Sequence, residues 1–377
     1  MVDEPVKITS CEIVTSRFPL QHALRVGANL VTEREYTFLK LSSEQGMTGE
    51  AYALTRRLPV LSIFTEFLAP MVLGADVSSP SDAQFARSRR LRPLDIDGGV
   101  RRAESLVDIA SWDLLGKSRQ QPVHRLLGSA TRSAEPLGID VVGYMRDGED
   151  EAALFNRLEG RSTDVTASKV AGHPDHDALG RLVKFLAADR AEPSVILDMA
   201  WTMYGPGAAA ELSAHVPHDA VLWLEDPVHA EDRAALDAVR SAWRGRIGLG
   251  DEVSSIPAVM HAVLDGAADV MRLDTCTAGG LTRAVDTCRL PALAGVQISP
   301  HIYPEVHAHL AAACDNIAYV ESFPADGTLD AGDRFIADRE YAPEAPGSTP
   351  EWPGLGLTLD WESIRKHAVS ASVLEAA

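Results

Sequence analysis

The hydrophobic pattern of the chain changes near residue 135. From there on, short apolar runs rich in β-branched residues alternate with alanine-rich segments whose apolar residues have helical spacing. Continuous apolar runs are typical of parallel strands that are covered by helices on both faces. Eight such runs are predicted strands: 137–145, 164–170, 194–200, 220–226, 246–252, 269–274, 295–301 and 318–323.

Eight strands with helices between them predict a closed parallel barrel, an α/β fold of the (β/α)7β TIM-barrel type. The first part of the chain does not alternate in this way. Three antiparallel strands are predicted at 7–18, 35–44 and 46–54, followed by helical segments, which indicates an α+β capping domain. The tail is rich in Pro and Gly, and we expect it to return to this cap. The predicted divisions are the cap at 1–130, the catalytic barrel at 131–325 and the returning C-terminal segment at 326–377.

Composition narrows the class of protein. The net charge of −19 argues against nucleic acid and anionic membranes, which both attract basic surfaces. No apolar run reaches transmembrane length, and the N-terminus lacks the pattern of a secretory signal. The four cysteines are scattered without CxxC pairs, as is typical of reduced, buried thiols. These features predict a cytoplasmic protein.

Three consecutive barrel strands end in a carboxylate. Asp198, Glu225 and Asp251 each close an apolar run, at intervals of 27 and 26 residues, or about one βα unit. Active sites of such barrels lie at the carboxyl ends of the strands, so these side chains should converge. Converging carboxylates repel each other unless a cation lies among them, and all-oxygen ligation suits Mg2+. The alternative is that each acid caps the following helix, but the threefold repetition favours a metal site.

Acids also follow two of these ligands directly. Asp226 and Glu252 come after Glu225 and Asp251, and a strand turns successive side chains to opposite sides. We therefore expect them to support the metal ligands from behind rather than to bind the ion.

The next strand ends offer an acid–base pair. Asp274 ends the sixth strand and His301 the seventh, close enough for the carboxylate to orient the imidazole and raise its basicity. Such a pair can act as a general base or acid, whereas a lone histidine is more often structural. His307 and His309 follow in the next predicted helix and are expected to be structural.

Two further strand ends are candidates for catalysis. Lys169 closes the second strand, and a nearby metal ion would lower its pKa enough for it to act as a base near neutral pH. The alternative is an ordinary surface lysine. Glu321 closes the eighth strand and, if protonated, could donate a hydrogen bond to a developing oxyanion. A helix cap or a salt bridge explains that residue equally well.

Together these residues suit the removal of a proton next to a carboxylate. The enolate that results is very unstable in water, and a divalent ion with a hydrogen-bond donor stabilises it. Bases on one or both faces of the substrate then decide between racemisation and loss of a β-hydroxyl.

The strand-end motifs, in this order and spacing, resemble the enolase superfamily and within it the mandelate racemase subgroup. The resemblance covers nearly the whole chain. It rests on SLVDIASWDLLGKSRQQPVHRLLG (105–128), WLEDPV (223–228), GLGDE (248–252), RLDTCTAGGLTRA (272–284), ISPHIYPEVHAHL (298–310), YVESF (319–323) and PGLGLTLDWE (353–362).

The resemblance implies a role for each strand-end residue: Mg2+ ligation by Asp198, Glu225 and Asp251, an Asp274–His301 dyad, and Glu321 as the electrophile. It implies that Lys169 is the second lysine of a Lys-x-Lys pair whose first position is Ala167 here. It also implies that Ala200 replaces the Asn of an Asp-x-Asn motif. Both departures count against racemase activity.

In the resembled family the cap contributes substrate contacts from two loops, which map here to 16–32 and to the region around 52–57. His22, Arg25, Tyr52 and Arg56 are the candidate substrate-binding residues. Solvated loop residues are the alternative for each of them. Basic residues here would favour a polar substrate end, such as a second carboxylate.

The leading hypothesis is therefore an Mg2+-dependent dehydratase of acid sugars, a carbon–oxygen lyase acting on a small carboxylic acid. A racemase or epimerase of 2-hydroxy acids is the second hypothesis. A catalytically weakened member that binds metal and acid without turnover is the third. The resemblance also implies a homo-oligomer.

Overall fold

The computed structural model describes residues 5–26, 29–94, 97–128, 136–159, 166–171, 175–205, 207–253, 255–323, 329–340 and 348–376. Parts of some predicted segments lie outside them: 27–28 of the first cap loop, 164–165 of the second barrel strand, 324–325 at the end of the barrel, and 341–347 in the Pro-rich tail. The predicted domain boundaries themselves stay a prediction.

The cap is built on a four-stranded antiparallel sheet with the order β14-β1-β2-β3. Its strands are β1 (Ile8–Val26), β2 (Asn29–Ser43), β3 (Thr48–Leu54) and β14 (Ala368–Glu375). The turn between β2 and β3 contains Gly46, whose φ of 76° lies in the region that glycine tolerates best. The last strand pairs with β1 from Ser10 opposite Glu375, so the tail does return to the cap.

The β1–β2 hairpin is much longer than the sequence predicted. The segment 16–32 was expected to be a loop, but β1 runs on to Val26 and pairs again with β2 after a register shift. Leu20 and Leu24 on this extension are buried in a small cluster with Tyr144 of the barrel. Backbone bonds reinforce the contact, since Arg25 N donates to Met145 O at 3.0 Å. Packing against the barrel therefore orders a segment that had no clear strand pattern of its own.

The cap helices cover one face of this sheet. They are α1 (Val60–Ile63), a π-helical turn (Phe64–Leu68), α2 (Ala69–Val72), α3 (Pro80–Leu91), α4 (Gly99–Arg119) and α5 (Val123–Leu127). The long helix α4 is buried along most of its length, between β3 and the barrel. Gly49 of β3 permits this approach, because a Cβ there would lie 2.1 Å from Ala110 O.

The barrel is an eight-stranded parallel sheet with the order β10-β9-β8-β7-β6-β5-β4-β11. It closes between β10 and β11, where Ala318 N donates to Ile298 O at 3.0 Å. This confirms the predicted fold class. The strands are β4 (Leu137–Val141), β5 (Ala167–Ala171), β6 (Val195–Asp198), β7 (Val221–Glu225), β8 (Ile247–Leu249), β9 (Val270–Leu273), β10 (Gln297–Pro300) and β11 (Tyr319–Ser322).

Helices alternate with these strands and bury an apolar face against them. They are α6 (Glu151–Leu158), α7 (His176–Ala187), α8 (Ala208–His215), α9 (Arg233–Ala242), α10 (Ile256–Leu264), α11 (Thr275–Ala278), α12 (Leu281–Leu293) and α13 (Pro304–Ala313), with a 3-10 turn at His218–Ala220. The returning segment adds α14 (Gly332–Phe335), β12 (Ile336–Arg339), β13 (Leu357–Leu359) and α15 (Trp361–Lys366). Across the described ranges, no helix combines the length and the apolar character that crossing a bilayer requires.

Candidate active site

The predicted strand-end residues meet at one end of the barrel. Each lies within or just after its strand, and period-two alternation turns the functional side chains inward. All are buried, and they are Lys169, Asp198, Glu225, Asp251, Asp274, His301 and Glu321.

Three carboxylates form a compact oxygen cluster. Asp198, Glu225 and Asp251 each offer one oxygen, and these three atoms lie within 4.8 Å of one another. Helix capping does not explain them, because the next helices are capped by Gly207, Asp232 and Ser255. The residue types, their burial and their convergence fit a hard divalent cation such as Mg2+.

Hydrogen bonds with neighbouring groups hold this cluster in place. The Tyr144 hydroxyl donates to Asp198, and Trp223 Nε1 donates to Glu225 Oε2 at 2.9 Å. Asp226 accepts the backbone N–H groups of Gly250 at 2.8 Å and of Asp251 at 2.7 Å. Asp226 therefore anchors the neighbouring strand end, the supporting position expected for it.

The inner oxygens of the cluster surround the ammonium group of Lys169. Its Nζ lies 3.6 Å from Asp198 Oδ2 and 3.3 Å from Asp251 Oδ2, and it contacts Glu225 Oε1. The last contact is an ion pair without hydrogen-bond geometry, so within the described ranges this buried oxygen has no directed donor. The Lys169 ammonium thus lies where the three carboxylates converge. The cluster is therefore suited to a positive charge at this point.

The pKa of Lys169 differs from the sequence-based expectation. A neighbouring metal ion was expected to lower it. In the structure, burial lowers this pKa, but the charges of Asp251, Glu225 and Glu321 raise it more, to well above its usual value. Lys169 is therefore a firmly protonated ammonium in this arrangement, and only a competing cation among the carboxylates would favour its amine form.

Arg272 is a site residue that the sequence analysis missed. It lies fully buried on β9, two residues before Asp274 and hence on the same inward face. Its Nε donates to Asp251 Oδ1 at 2.7 Å and lies 3.1 Å from Glu225 Oε2, and its other arm bonds Glu321 at 2.5 Å. Asp274 was predicted from its position at the strand end, and period-two alternation counted back from it would also have identified this guanidinium.

Glu321 is ionised rather than protonated. Burial raises its pKa, but Lys169, Arg272 and His301 lower it more, to about 2. It accepts hydrogen bonds from Lys169 Nζ at 3.0 Å and from Ile302 N at 2.8 Å. Of the explanations that the sequence left open for Glu321, this arrangement corresponds to the salt bridge, because the carboxylate lies among three cationic groups.

The imidazole of His301 faces the same cluster. Its Nδ1 lies 3.3 Å from Asp274 Oδ2, while Nε2 lies 3.8 Å from Asp251 Oδ2. Asp274 also accepts from Cys276 N at 2.7 Å and so begins the short helix α11. Burial lowers the pKa of His301, but Asp251 and the bond to Asp274 raise it to a net higher value. The structure thus brings the predicted pair together.

The two downstream histidines lie on the buried α13, as expected for structural residues. His307 Nε2 lies 2.8 Å from Thr275 Oγ1, and burial lowers its pKa to about 4. His309 Nδ1 accepts from His124 N at 3.2 Å, and burial lowers its pKa to about 3.

The cap supplies the other wall of the cavity, although not with all of the residues expected. Arg56 lines the cavity and donates from Nε to Glu252 Oε1 at 3.0 Å. Arg102 binds the same carboxylate at 2.9 Å. Burial raises the pKa of Glu252, but these two guanidinium groups lower it to a value well below the usual range. Glu252 thus connects the barrel to the cap.

The remaining predicted substrate contacts do not line this cavity. The Tyr52 hydroxyl is buried and donates to Glu305 Oε2 at 2.9 Å. Arg25 bonds Asp147 at 2.9 Å and borders a different cavity of about 300 Å3 between β4, α6 and α7. His22 lies half-buried on the extended β1. Because the first predicted loop is a strand, its side chains alternate in direction and most are turned away from the site.

Three further cavity-lining residues were not singled out from the sequence. Arg34 and Tyr36 of β2 lie on the cap side, and Trp201 after β6 lies on the barrel side. Ala200 and Trp201 both have positive φ, at 45° and 56°. This left-handed backbone suits Asn better than Ala, so Ala200 takes a conformation that its own side chain does not favour. Ala167, at the other altered position, is buried inside the barrel.

Both parts of the chain match known protein families. The family of enolase C-terminal domain-like sequences matches residues 154–363, and the N-terminal domain of mandelate racemase and muconate lactonizing enzyme matches residues 7–128. The chain belongs to the enolase superfamily, in its mandelate racemase subgroup. This confirms the resemblance inferred from the strand-end motifs.

Individual members of the superfamily share only 21–28% sequence identity with this chain. A D-galactonate dehydratase family member from Streptomyces sp. strain SPB78 is 28% identical, covering 89% of this chain and 83% of its own. A D-gluconate dehydratase from Thermoproteus tenax is 24% identical over 86% of this chain and 67% of its own. The L-talarate dehydratase of Polaromonas sp. JS666, solved with Mg and L-glucarate, superposes with a TM-score of 0.82 at 21% identity, covering 99% of this chain and all (100%) of that one.

Proposed function

We propose that this protein is an Mg2+-dependent dehydratase of acid sugars, which converts an aldonate or aldarate to a 2-keto-3-deoxy acid. The observation that carries the proposal is the position of two proton-transfer groups around one metal-site carboxylate. Lys169 Nζ and His301 Nε2 lie 3.3 Å and 3.8 Å from the same Asp251 oxygen. A substrate held at the three carboxylates would therefore have a base or acid on either side.

Asp198, Glu225 and Asp251 are the proposed metal ligands. A bound Mg2+ would supply charge stabilisation for the substrate carboxylate and would lower the pKa of the neighbouring lysine. The relatives support this cofactor and this substrate class, since one is named a D-gluconate dehydratase and another was solved with Mg and L-glucarate.

The proposed reaction needs one proton acceptor and one proton donor. Lys169, as the amine, takes the proton from C2 of the substrate. His301, protonated and held by Asp274, gives its proton to the departing 3-hydroxyl, which leaves as water. The resulting enol loses its hydroxyl proton and gains a proton at C3, which yields the keto acid. Arg272 holds Asp251 and Glu225 in place throughout, and Glu321 in turn binds the guanidinium of Arg272.

A racemase or epimerase of 2-hydroxy acids is the second candidate. Two groups able to carry a proton, on different strands and near one carboxylate, would also suit removal on one face and return on the other. The absence of a lysine at Ala167, where the resembled family has one, counts against this reading.

The test is a panel of aldonates, aldarates and 2-hydroxy acids incubated with the protein and Mg2+. We expect a 2-keto acid product, measured as its semicarbazone, from at least one acid sugar. His301→Asn should abolish it, whereas His261→Asn, on the exposed side of α10, should not. Exchange of the α-proton in D2O without keto acid would instead support the racemase. Tight Mg2+ and acid binding without turnover or exchange would support a catalytically weakened member.

Assembly and location are further proposals. We propose that the protein forms a homo-oligomer, which light scattering of the purified chain would test. A cytoplasmic location likewise stays a prediction from the reduced-thiol pattern, since all four cysteines are buried and none is in a disulfide.

A further inference from the structure

The cavity wall opposite the metal site carries a cation whose charge is not matched. Alternation along β2 places Arg34 on the same side as Tyr36, and both line the cavity together with Lys169 and His301. The other side of β2 carries Glu33 and Glu35, which pair with Arg17 instead. Arg34 is thus directed to the site by the strand and not by a loop.

The hydrogen bonds of Arg34 leave most of its guanidinium available. Its Nε donates to Leu329 O at 3.1 Å. Over the part of the chain that the structure describes, no carboxylate lies within salt-bridge distance of it. The two other arginines of this wall differ, because Arg56 and Arg102 share the charge of Glu252. Arg34 also lies near Arg56. Two carboxylates, Glu252 and Asp330, line the cavity on this side and face three guanidinium groups, those of Arg34, Arg56 and Arg102, so one positive charge is in excess.

A half-buried arginine without an anion is costly unless a ligand provides one. A guanidinium binds a carboxylate through two parallel hydrogen bonds and gains charge attraction, whereas a hydroxyl offers a single neutral bond. A second donor lies on the barrel side of the same cavity. The buried Nε1 of Trp201 has no acceptor among the described residues.

We propose that Arg34 binds a second carboxylate of the substrate, so that the protein acts on sugar diacids in preference to sugar monoacids. This inference rests on the proposed function, since the first carboxylate is the one placed at the metal site. Arg34 contacts the far end of the substrate and is a specificity-determining residue, not a proton-transfer group. The Trp201 indole would donate to an oxygen of the same ligand.

The experiment compares matched pairs of acids that differ only at the far carbon, namely galactarate with galactonate and glucarate with gluconate. We expect the wild-type protein with Mg2+ to have a kcat/KM at least about 100-fold higher for a diacid than for its monoacid. Arg34→Met should remove most of that preference, mainly through a higher diacid KM, and should leave the monoacid nearly unchanged. Arg34→Lys should recover part of the diacid activity because it keeps the charge.

Arg57→Met is the matched control. Arg57 is exposed on the cap outside this cavity, where it bonds Glu33 at 2.7 Å, and its removal should change kcat/KM for neither acid. Circular dichroism melting of each variant establishes that it is folded. Equal losses for diacid and monoacid in Arg34→Met, or a wild-type preference for the monoacid, would overturn the inference.

Calorimetric binding to the Mg2+-loaded protein separates this inference from the proposed function. Weaker diacid binding by Arg34→Met, with monoacid binding unchanged, supports the role of Arg34 whether or not turnover occurs. Binding of the diacid without dehydration of any acid would overturn the proposed function alone. Identical diacid binding by wild type and Arg34→Met, or no binding of diacid at all, would overturn the inference.

Discussion

The barrel side and the cap side of the cavity differ in how their cations are balanced by carboxylates. On the barrel side, Lys169 and Arg272 lie among four carboxylates, and each cation contacts at least three of them. On the cap side, Arg56 and Arg102 share the single carboxylate of Glu252. One side is thus an acidic network that requires cations, and the other is a basic wall that can accept an anion.

This difference separates chemistry from recognition. Buried ionic groups that compensate one another hold a fixed geometry, which suits a metal site and proton transfer. A wall whose positive charge is not fully neutralised is held by fewer ion pairs of its own. It can therefore bind an anionic ligand. Removal of a charge should therefore be severe on the barrel side and mild on the cap side.

The largest effect should come from Lys169→Met. Loss of the proposed base should lower kcat/KM by about 1,000-fold. Mg2+ affinity, measured by calorimetry, should be unchanged or higher, because the ammonium no longer competes for the three carboxylates. Lys184→Met on the exposed face of α7 is the control. Weaker Mg2+ binding by the Lys169 variant would show that the ammonium supports the metal site and does not compete with it.

Arg272→Met tests whether the barrel network depends on its buried guanidinium. Removing one partner of a buried ionic network should cost about 3 to 5 kcal/mol in the free energy of unfolding. We expect this loss in urea titrations with EDTA, and partial recovery with saturating Mg2+, which restores positive charge among the carboxylates. Arg289→Met, at an exposed pair with Asp286, should be neutral. An unchanged unfolding midpoint in EDTA would contradict the contrast between the two sides.

The junction between barrel and cap should respond to pH through His309 on α13, which contacts the start of α5. Its folded-state pKa of about 3 lies below the usual 6.5, so the unfolded chain binds the proton more readily. The contribution of His309 to the free energy of unfolding should therefore be fully present above pH 6.5 and fall progressively towards pH 3. At pH 5 the loss should be about 2 kcal/mol.

Denaturant titrations at pH 7 and pH 5 measure that loss. His309→Gln should reduce this acid-induced loss of stability. Part of the loss should remain in the variant, because the pKa of His307 is also lowered, to about 4. His215→Gln at the exposed end of α8 is the control. The same acid-induced loss in wild type and His309→Gln would place the pH sensitivity elsewhere.

The smallest effect should come from Arg56→Met on the cap side. Arg56 is 40% exposed, and Arg102 still neutralises Glu252 in its absence. We expect less than about 1 kcal/mol of change in the free energy of unfolding, measured by urea titration. A loss comparable with that of Arg272→Met would mean that the cap wall is as tightly coupled as the barrel network.

The sequence predicted the barrel side well because its information is local. An apolar run followed by an acid, repeated once per βα unit, specifies both the strand and the direction of its last side chain. Asp198, Glu225, Asp251 and Asp274 follow from that rule together with the position of active sites in barrels, and His301 follows from its own position at a strand end. Arg272 does not follow from it, because it is a cation inside its strand, and only the inward alternation along β9 identifies it.

The cap side could not be predicted in this way, because its geometry comes from contacts between distant segments. The β1–β2 hairpin is ordered by packing on Tyr144 and by backbone bonds to Met145, and only then does Arg34 face the site. Protonation was likewise decided by the tertiary structure, since the pKa values of Lys169 and Glu321 depend on which charges surround them. The sequence by itself determined which residues lie at the barrel mouth, because strand period and repeat length are local properties. The tertiary structure decided their charges and their partners across the cavity, because electrostatic fields and long-range packing exist only once the chain has folded.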